Sequence, residues 1–310
     1  MSASTGSAPV SPFLAFVSPQ DRSPMRVGLW LALGLPLAFF GVVLIGGASA
    51  QLLAPGLLER LQQAGTITGP HRLLFESAIL GVQALAEIAA ALALLGAARL
   101  AFQRPAWTFV SPARPFTFKL LAAGLVVYGV LTAAALGVDA AQGAHLVPPV
   151  LDLGEPAADR ITYGLASLPL ILLAAAAEEL AFRGALLQVS SAFIRTRIGL
   201  CVLNGLVFAA MHLPANPLVF LEYALTGGVF AYSVLELGGI EFSLGAHFAN
   251  NLLVLMLQEP MSAAAGGAPF RWSDLGTVAT WINLGEMSVT ALATLAAVRL
   301  IKRRRDRAAA

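Results

Sequence analysis

Charged side chains that could do chemistry interrupt an apolar run in the second half of the chain. Glu178, Glu179 and Arg183 lie within the run 161–188. Glu179 and Arg183 are four residues apart with the acid on the N-terminal side, the helical spacing and order that favour an ion pair. Glu178 points about 100° away from Glu179, because a helix has 3.6 residues per turn. One carboxylate therefore has a counter-ion, and the other is a candidate general base.

Two histidines follow in later apolar runs. His212 ends one run, one helical turn after Phe208, and His247 precedes Asn251 by one turn in another. Residues four apart share a helix face. At 1.5 Å per residue, Glu178 and these three polar groups lie roughly 8–21 Å from the predicted cytoplasmic helix ends. A lone histidine in an apolar helix is more often a core residue. Two histidines, an asparagine and an unpaired glutamate at compatible depths instead favour one shared site.

The elements that position these groups are predicted to be membrane helices. Hydrophobic residues make up 58% of the 310 residues and charged residues 12%, against roughly 45–50% and 25% in soluble domains. A transmembrane helix needs about 20 mostly apolar residues. The sequence predicts an all-α polytopic membrane protein with about eight transmembrane helices. The runs are 27–53, 73–98, 120–138, 161–188, 198–213, 218–237, 242–257 and 278–300.

The distribution of basic residues predicts the orientation. The side that holds both termini carries most Lys and Arg, so both termini are expected to be cytoplasmic. We expect residues 1–26, rich in Ser and Pro, to be a disordered tail. Residues 27–301 form a single transmembrane domain with a catalytic core at 161–258, and residues 302–310 form a basic cytoplasmic tail. The preference for Arg over Lys and the high Ala content indicate a bacterial plasma (inner) membrane. The active-site cavity is expected to open to the cytoplasm.

Charge and cysteine content exclude other classes. A formal net charge of +2 gives no indication of a nucleic-acid partner. The single cysteine, Cys201, excludes a disulfide framework within the chain. The partners expected are the lipid bilayer and a peptide or lipidated protein substrate.

Three motifs in this order resemble those of the CAAX-protease and bacteriocin-processing family, which includes the type II CAAX prenyl endopeptidases and Abi-type bacterial proteins. The family patterns EExxxR, FxxxH and HxxxN match residues 178–183, 208–212 and 247–251. The first three helices resemble the family only in being hydrophobic. The resemblance implies an intramembrane endopeptidase acting on a membrane-associated or lipidated substrate, in CAAX-type or bacteriocin- or pheromone-type processing.

A mechanism can be assigned to the four polar groups. Glu178, assisted by His212, would deprotonate a water molecule that attacks the scissile carbonyl. His247 and Asn251 would stabilise the developing oxyanion. The remaining motif residues are expected to support this chemistry, two as an ion pair and one as cavity wall: Glu179, Arg183 and Phe208.

The role of a metal stays open at this point. Glu178, His212 and His247 offer the carboxylate and imidazole ligands of a Zn²⁺ site, and the family is commonly classed as metallopeptidases. A metal-free mechanism uses the same residues. The zinc-binding motif HExxH is absent from the sequence.

Two rival functions compete with a protease. One is a catalytically inactive scaffold or immunity protein of the same fold, against which the intact motifs argue. The other is a transporter, because buried Glu and His also build proton relays, although no inverted repeat is visible. Glu222 and Glu286 are further candidates for a cavity or substrate groove, and Glu76 and Glu87 receive no role.

Overall fold

The computed structural model describes residues 11–56, 71–143, 146–214, 216–258 and 276–309. Over these residues the chain has eight long helices and no β-strand, so the predicted all-α polytopic membrane fold is confirmed. Two helices contain a wider π-helical segment, at Val42–Gly46 and Glu179–Leu186. The helices are α1 (Pro24–Leu53), α2 (Arg72–Phe102), α3 (Phe118–Ala141), α4 (Ala157–Ser190), α5 (Arg197–Met211), α6 (Pro217–Leu237), α7 (Glu241–Leu257) and α8 (Val278–Ala309).

Six of the eight predicted spans are long and apolar enough to cross a membrane, namely α1, α2, α3, α4, α6 and α8. The other two are shorter, with 15 residues in α5 and 17 in α7. At 1.5 Å per residue they measure about 22 and 26 Å. Both of these shorter helices carry a predicted site histidine, at or just beyond the end of α5 and inside α7.

Helix α7 crosses α3 with the two backbones in direct contact. A Cβ atom placed on Gly124 would lie 2.0 Å from the carbonyl oxygen of Phe242, and one on Gly245 would lie 2.0 Å from that of Leu121. Only glycine fits at both positions, as at other close crossings of membrane helices. The crossing fixes α7, and therefore His247, against a full-length span.

Helix α5 crosses α6 in the same way. A Cβ atom on Gly205 would lie 2.2 Å from the carbonyl oxygen of Ala224, and one on Gly227 would lie 2.9 Å from the Cα of Gly205. Each short helix is thus held by backbone contact to a long one. The remaining extensive contacts join α1 to α2 and α2 to α4.

Both predicted tails pack onto the helices. Phe13 is fully buried against a cluster that includes Leu235, and the Ser11 hydroxyl donates to the Leu235 carbonyl. The prediction of disorder over 1–26 is therefore wrong for residues 11–26, because apolar anchors outweigh the Ser- and Pro-rich composition; residues 1–10 lie outside the described residues. Helix α8 continues through the predicted basic tail, and Arg305 Nη1 donates to the Leu237 carbonyl at 3.1 Å.

Candidate active site

A fully buried ion pair in the π-helical segment of α4 lies beneath the site. Both side chains of Glu179 and Arg183 have no exposed surface, and Arg183 Nη1 donates to Glu179 Oε1 at 3.0 Å. Nδ1 of His247 lies 3.0 Å from the same oxygen. A carboxylate can only accept, so this nitrogen carries the proton. The predicted Glu179–Arg183 pair is present, and it also orients the His247 ring.

Arg183 is surrounded by aromatic faces that help to stabilise its buried charge. Its Cζ lies 4.4 Å from the ring centre of Phe208, 5.4 Å from Phe230 and 5.9 Å from Phe182. Such cation–π contacts are attractive, and more so away from water. Its Nη2 also donates to the Gly227 carbonyl at 3.4 Å. This surrounding indicates that Arg183 supports the site and that Phe208 does more than line a wall.

Glu178 faces both histidines and is not hydrogen-bonded to either. Its Oε2 lies 3.8 Å from Nε2 of His212 and 3.8 Å from Nε2 of His247. Both separations are too long for a direct hydrogen bond. Within the described part of the chain this buried oxygen has no hydrogen-bond partner. The structure therefore places the predicted general base beside both histidines, and its carboxylate oxygen Oε2 makes no hydrogen bond to either.

His212 lies just beyond the end of α5 and is held by its own helix and by α6. Its Nδ1 is 2.8 Å from the Phe208 carbonyl oxygen, so Nδ1–H donates and Nε2 is left facing Glu178. Its ring centre lies 4.5 Å from that of Phe208 and 4.5 Å from that of Tyr223. Its side chain is 28% exposed, against 7% for His247. His212 is therefore the more exposed of the two histidines.

Tyr223 is the site residue that the sequence analysis missed. It lies on α6, about two helical turns from the start of that helix, and its ring centre is 4.5 Å from that of His212. Nothing in the spacing of a single tyrosine in an apolar run indicates such a contact. It follows only from the glycine-mediated crossing of α5 and α6.

Asn251 is less closely integrated than predicted. It lies one turn beyond His247 on α7, and its Oδ1 accepts from Asn250 Nδ2 at 3.2 Å. Among the described residues it makes no hydrogen bond to Glu178 or to either histidine. Its proposed part in oxyanion binding stays a prediction.

The candidate metal ligands do not fit a metal as they are arranged. No group of three His, Cys, Asp or Glu side chains in the described ranges could hold a metal ion. Zinc bonds of about 2.0–2.2 Å place tetrahedral ligand atoms roughly 3.3–3.6 Å apart, and Glu178 Oε2 is 3.8 Å from both imidazole nitrogens.

The two glutamates that were predicted to line a cavity or substrate groove interact with a third acidic residue. Glu222 and Glu286 interact electrostatically with Asp139 and with each other. No hydrogen bond or ion pair links either of them to Glu178 or to the histidines among the described residues. Their predicted place in a cavity or substrate groove stays a prediction.

The family comparison matches the part of the chain that carries the site. Residues 161–253 match the family described as type II CAAX prenyl endopeptidase Rce1-like. Residues 161–253 form an Rce1-like domain. The predicted family resemblance is confirmed, and this range contains all three motifs.

A curated relative extends the similarity beyond this domain. The chain is 31% identical to the uncharacterized protein YyaK of Bacillus subtilis (strain 168) over 181 residues, which are 56% of this chain and 59% of the relative. The chain thus matches about three fifths of the length of that relative.

The Rce1-like domain takes in most of α4 and α7 and all of α5 and α6. Helices outside it support it from two sides. Helix α3 holds α7 through the glycine crossing, and α2 packs along α4 and its π-helical segment.

Proposed function

We propose that this chain is an intramembrane endopeptidase that hydrolyses a peptide bond of a membrane-associated or lipidated protein or peptide. The observation that carries the proposal is the unengaged Glu178 carboxylate, 3.8 Å from Nε2 of both His212 and His247. The Rce1-like match supports it, since that family is named for endopeptidases. A non-catalytic scaffold gains nothing from a carboxylate held among histidines without a hydrogen bond.

The first step is activation of water between Glu178 and His212. Polar atoms 3.8 Å apart can share one water molecule at ordinary hydrogen-bond lengths of about 2.8 Å. The water donates one hydrogen to Glu178 Oε2 and the other to His212 Nε2, which leaves a lone pair for the scissile carbonyl carbon. Glu178 takes the first proton as the new C–O bond forms.

The second step stabilises the oxyanion and expels the amine. His247 is anchored through Nδ1–H to Glu179. Its Nε2, when protonated, donates to the oxyanion, and the adjacent carboxylates balance the charge. Asn251 is the second donor in this proposal. Glu178 then passes its proton to the leaving nitrogen as the C–N bond breaks, which returns the carboxylate to its starting state.

We propose a metal-free reaction, because the donors present do not form a metal-binding group. Glu178 takes the proton of the water held between it and His212, and Glu179 and Arg183 help to position these groups through their π-helical segment and the ring of His247.

We place the protein in a bacterial plasma (inner) membrane with the site reached from the cytoplasmic side. The support is the concentration of basic residues on one side of the helices. Cysteines introduced singly into 103–118 or 189–197, in a Cys201→Ala background, should react with an impermeant reagent only after the membrane is permeabilised. Labelling of intact cells at 103–118 would reverse the orientation.

Cleavage by purified protein in proteoliposomes tests the proposed reaction. Prenylated CAAX peptides and unlipidated hydrophobic peptides are compared, with products identified by mass spectrometry. Glu178→Gln should lower kcat by about 10²–10⁴-fold, the usual contribution of a general base. Glu76→Gln, which alters a buried acid in the second turn of α2, is the matched control and should retain activity. Failure of the wild type to cleave any peptide would favour the inactive scaffold.

A further inference from the structure

Glu87 on α2 is a carboxylate without a cation, and the mechanism above does not use it. Gln83, one turn earlier, donates from Nε2 to Glu87 Oε1 at 2.8 Å. The second oxygen, Oε2, is buried and has no hydrogen-bond partner within the described ranges. No salt bridge to a Lys or Arg of the described chain neutralises it. The amide of Gln83 thus fixes the carboxylate and leaves one oxygen available.

Glu87 belongs to the surroundings of the candidate site. Helix α2 packs along α4 and against the π-helical segment that carries Glu179 and Arg183. Glu87 interacts electrostatically with Glu178 and with His247. The helix that the family match leaves out therefore contributes an acidic group to the same region.

Among the described residues, Glu87 is the carboxylate of this region that has no basic side chain within ion-pair distance. Arg183 is already paired with Glu179 and enclosed by aromatic rings. Glu178 lies beside both histidines, and His247 supplies a positive charge there when protonated. Glu87 therefore remains as the acidic group without a cation. An ionisable group at membrane depth is costly and marks a substrate or ion pathway more often than a structural contact.

We propose that Glu87 binds a basic side chain, Lys or Arg, of the peptide substrate next to the bond that is cleaved. The inference rests on the proposed function, since it names a feature of that substrate. A long, flexible cationic side chain can reach a buried carboxylate and form a charge-assisted hydrogen bond with its free oxygen. The same anionic surroundings disfavour an acidic side chain at that substrate position.

Binding to an inactive variant tests the inference without requiring turnover. The Glu178→Gln protein in detergent micelles is titrated with fluorescent hydrophobic peptides that carry either lysine or its uncharged analogue norleucine at one position near the expected cleavage site. At one of these positions we expect the lysine peptide to bind at least about tenfold more tightly than the norleucine peptide, which is the contribution of a hydrogen bond between charged groups. Adding Glu87→Gln should reduce this ratio to about one, whereas adding Glu76→Gln on the same helix should preserve it.

Two results would overturn the inference. One is a lysine-to-norleucine affinity ratio near one at every position, including the case in which neither peptide binds. The other is a lysine preference that survives Glu87→Gln. Cleavage of the same peptides by the wild type is measured separately and reports the proposed function. Lysine-selective, Glu87-dependent binding without cleavage would refute the peptidase and leave the cation site standing.

Discussion

Replacing Glu179 with glutamine would leave Arg183 as a buried cation without its carboxylate. Both side chains are fully buried, and the bond between them is 3.0 Å long. Removing one partner of a buried pair costs about 3–5 kcal/mol. The Phe208 ring and the Gly227 carbonyl remain as contacts, and glutamine still offers one acceptor. We therefore expect a loss near the lower end, about 3 kcal/mol, with a fall in Tm of roughly 5–10 °C.

Glu178→Gln should behave in the opposite way. Its Oε2 has no hydrogen-bond partner in the described chain, so the variant should keep its stability to within about 0.5–1 kcal/mol while losing turnover. Thermal unfolding in detergent, followed by tryptophan fluorescence, is measured beside peptide cleavage. Glu179→Gln combined with Arg183→Met should recover part of the stability, since replacing both partners is often nearly neutral. An unchanged Tm for Glu179→Gln, or wild-type turnover for Glu178→Gln, would refute this division of roles.

Three further outcomes are expected. Tyr223→Ala should lower kcat about 10- to 100-fold by releasing the His212 ring, whereas Tyr223→Phe should stay within about twofold because the ring remains; equal effects would show that the hydroxyl, not the ring, matters. Gly124→Ala should destabilise the protein by about 1–3 kcal/mol in thermal unfolding, because its Cβ would overlap backbone, and Gly137→Ala on the same helix has nothing within 4 Å and should be neutral. Treatment with 1,10-phenanthroline should leave cleavage unchanged, and stoichiometric zinc whose removal abolishes activity would contradict the metal-free mechanism.

Local spacing was enough to predict the ion pair and the free carboxylate. Glu179 and Arg183 meet because they are four residues apart, a relation that survives the change from α- to π-helical winding in this segment. The order and depth of the apolar runs were enough to predict that His212 and His247 converge on Glu178. These are properties of single helices and of their alternation across a membrane.

Contacts between helices could not be predicted from the sequence in this way. The positions of Tyr223 and Glu87 depend on which faces of α6 and α2 turn toward α4 and α5, and an apolar run carries little information about rotation about its own axis. The order of residues 11–26 was missed because the apolar run 13–17 is short and flanked by Ser and Pro, and the surface that buries Phe13 and Leu14 comes from α4, α5 and α6.

The short lengths of α5 and α7 tie the site to the thickness of the bilayer. At about 22 and 26 Å, both helices are shorter than a hydrocarbon core of about 30 Å. A hydrophobic mismatch of this size is accommodated by local thinning of the lipid or by entry of polar groups and water at the helix ends. His212 lies at the end of α5 that is remote from the 189–197 loop. Lipid thickness therefore sets how deeply this end of α5 lies below the membrane surface, and longer acyl chains would bury it further without altering a single side chain.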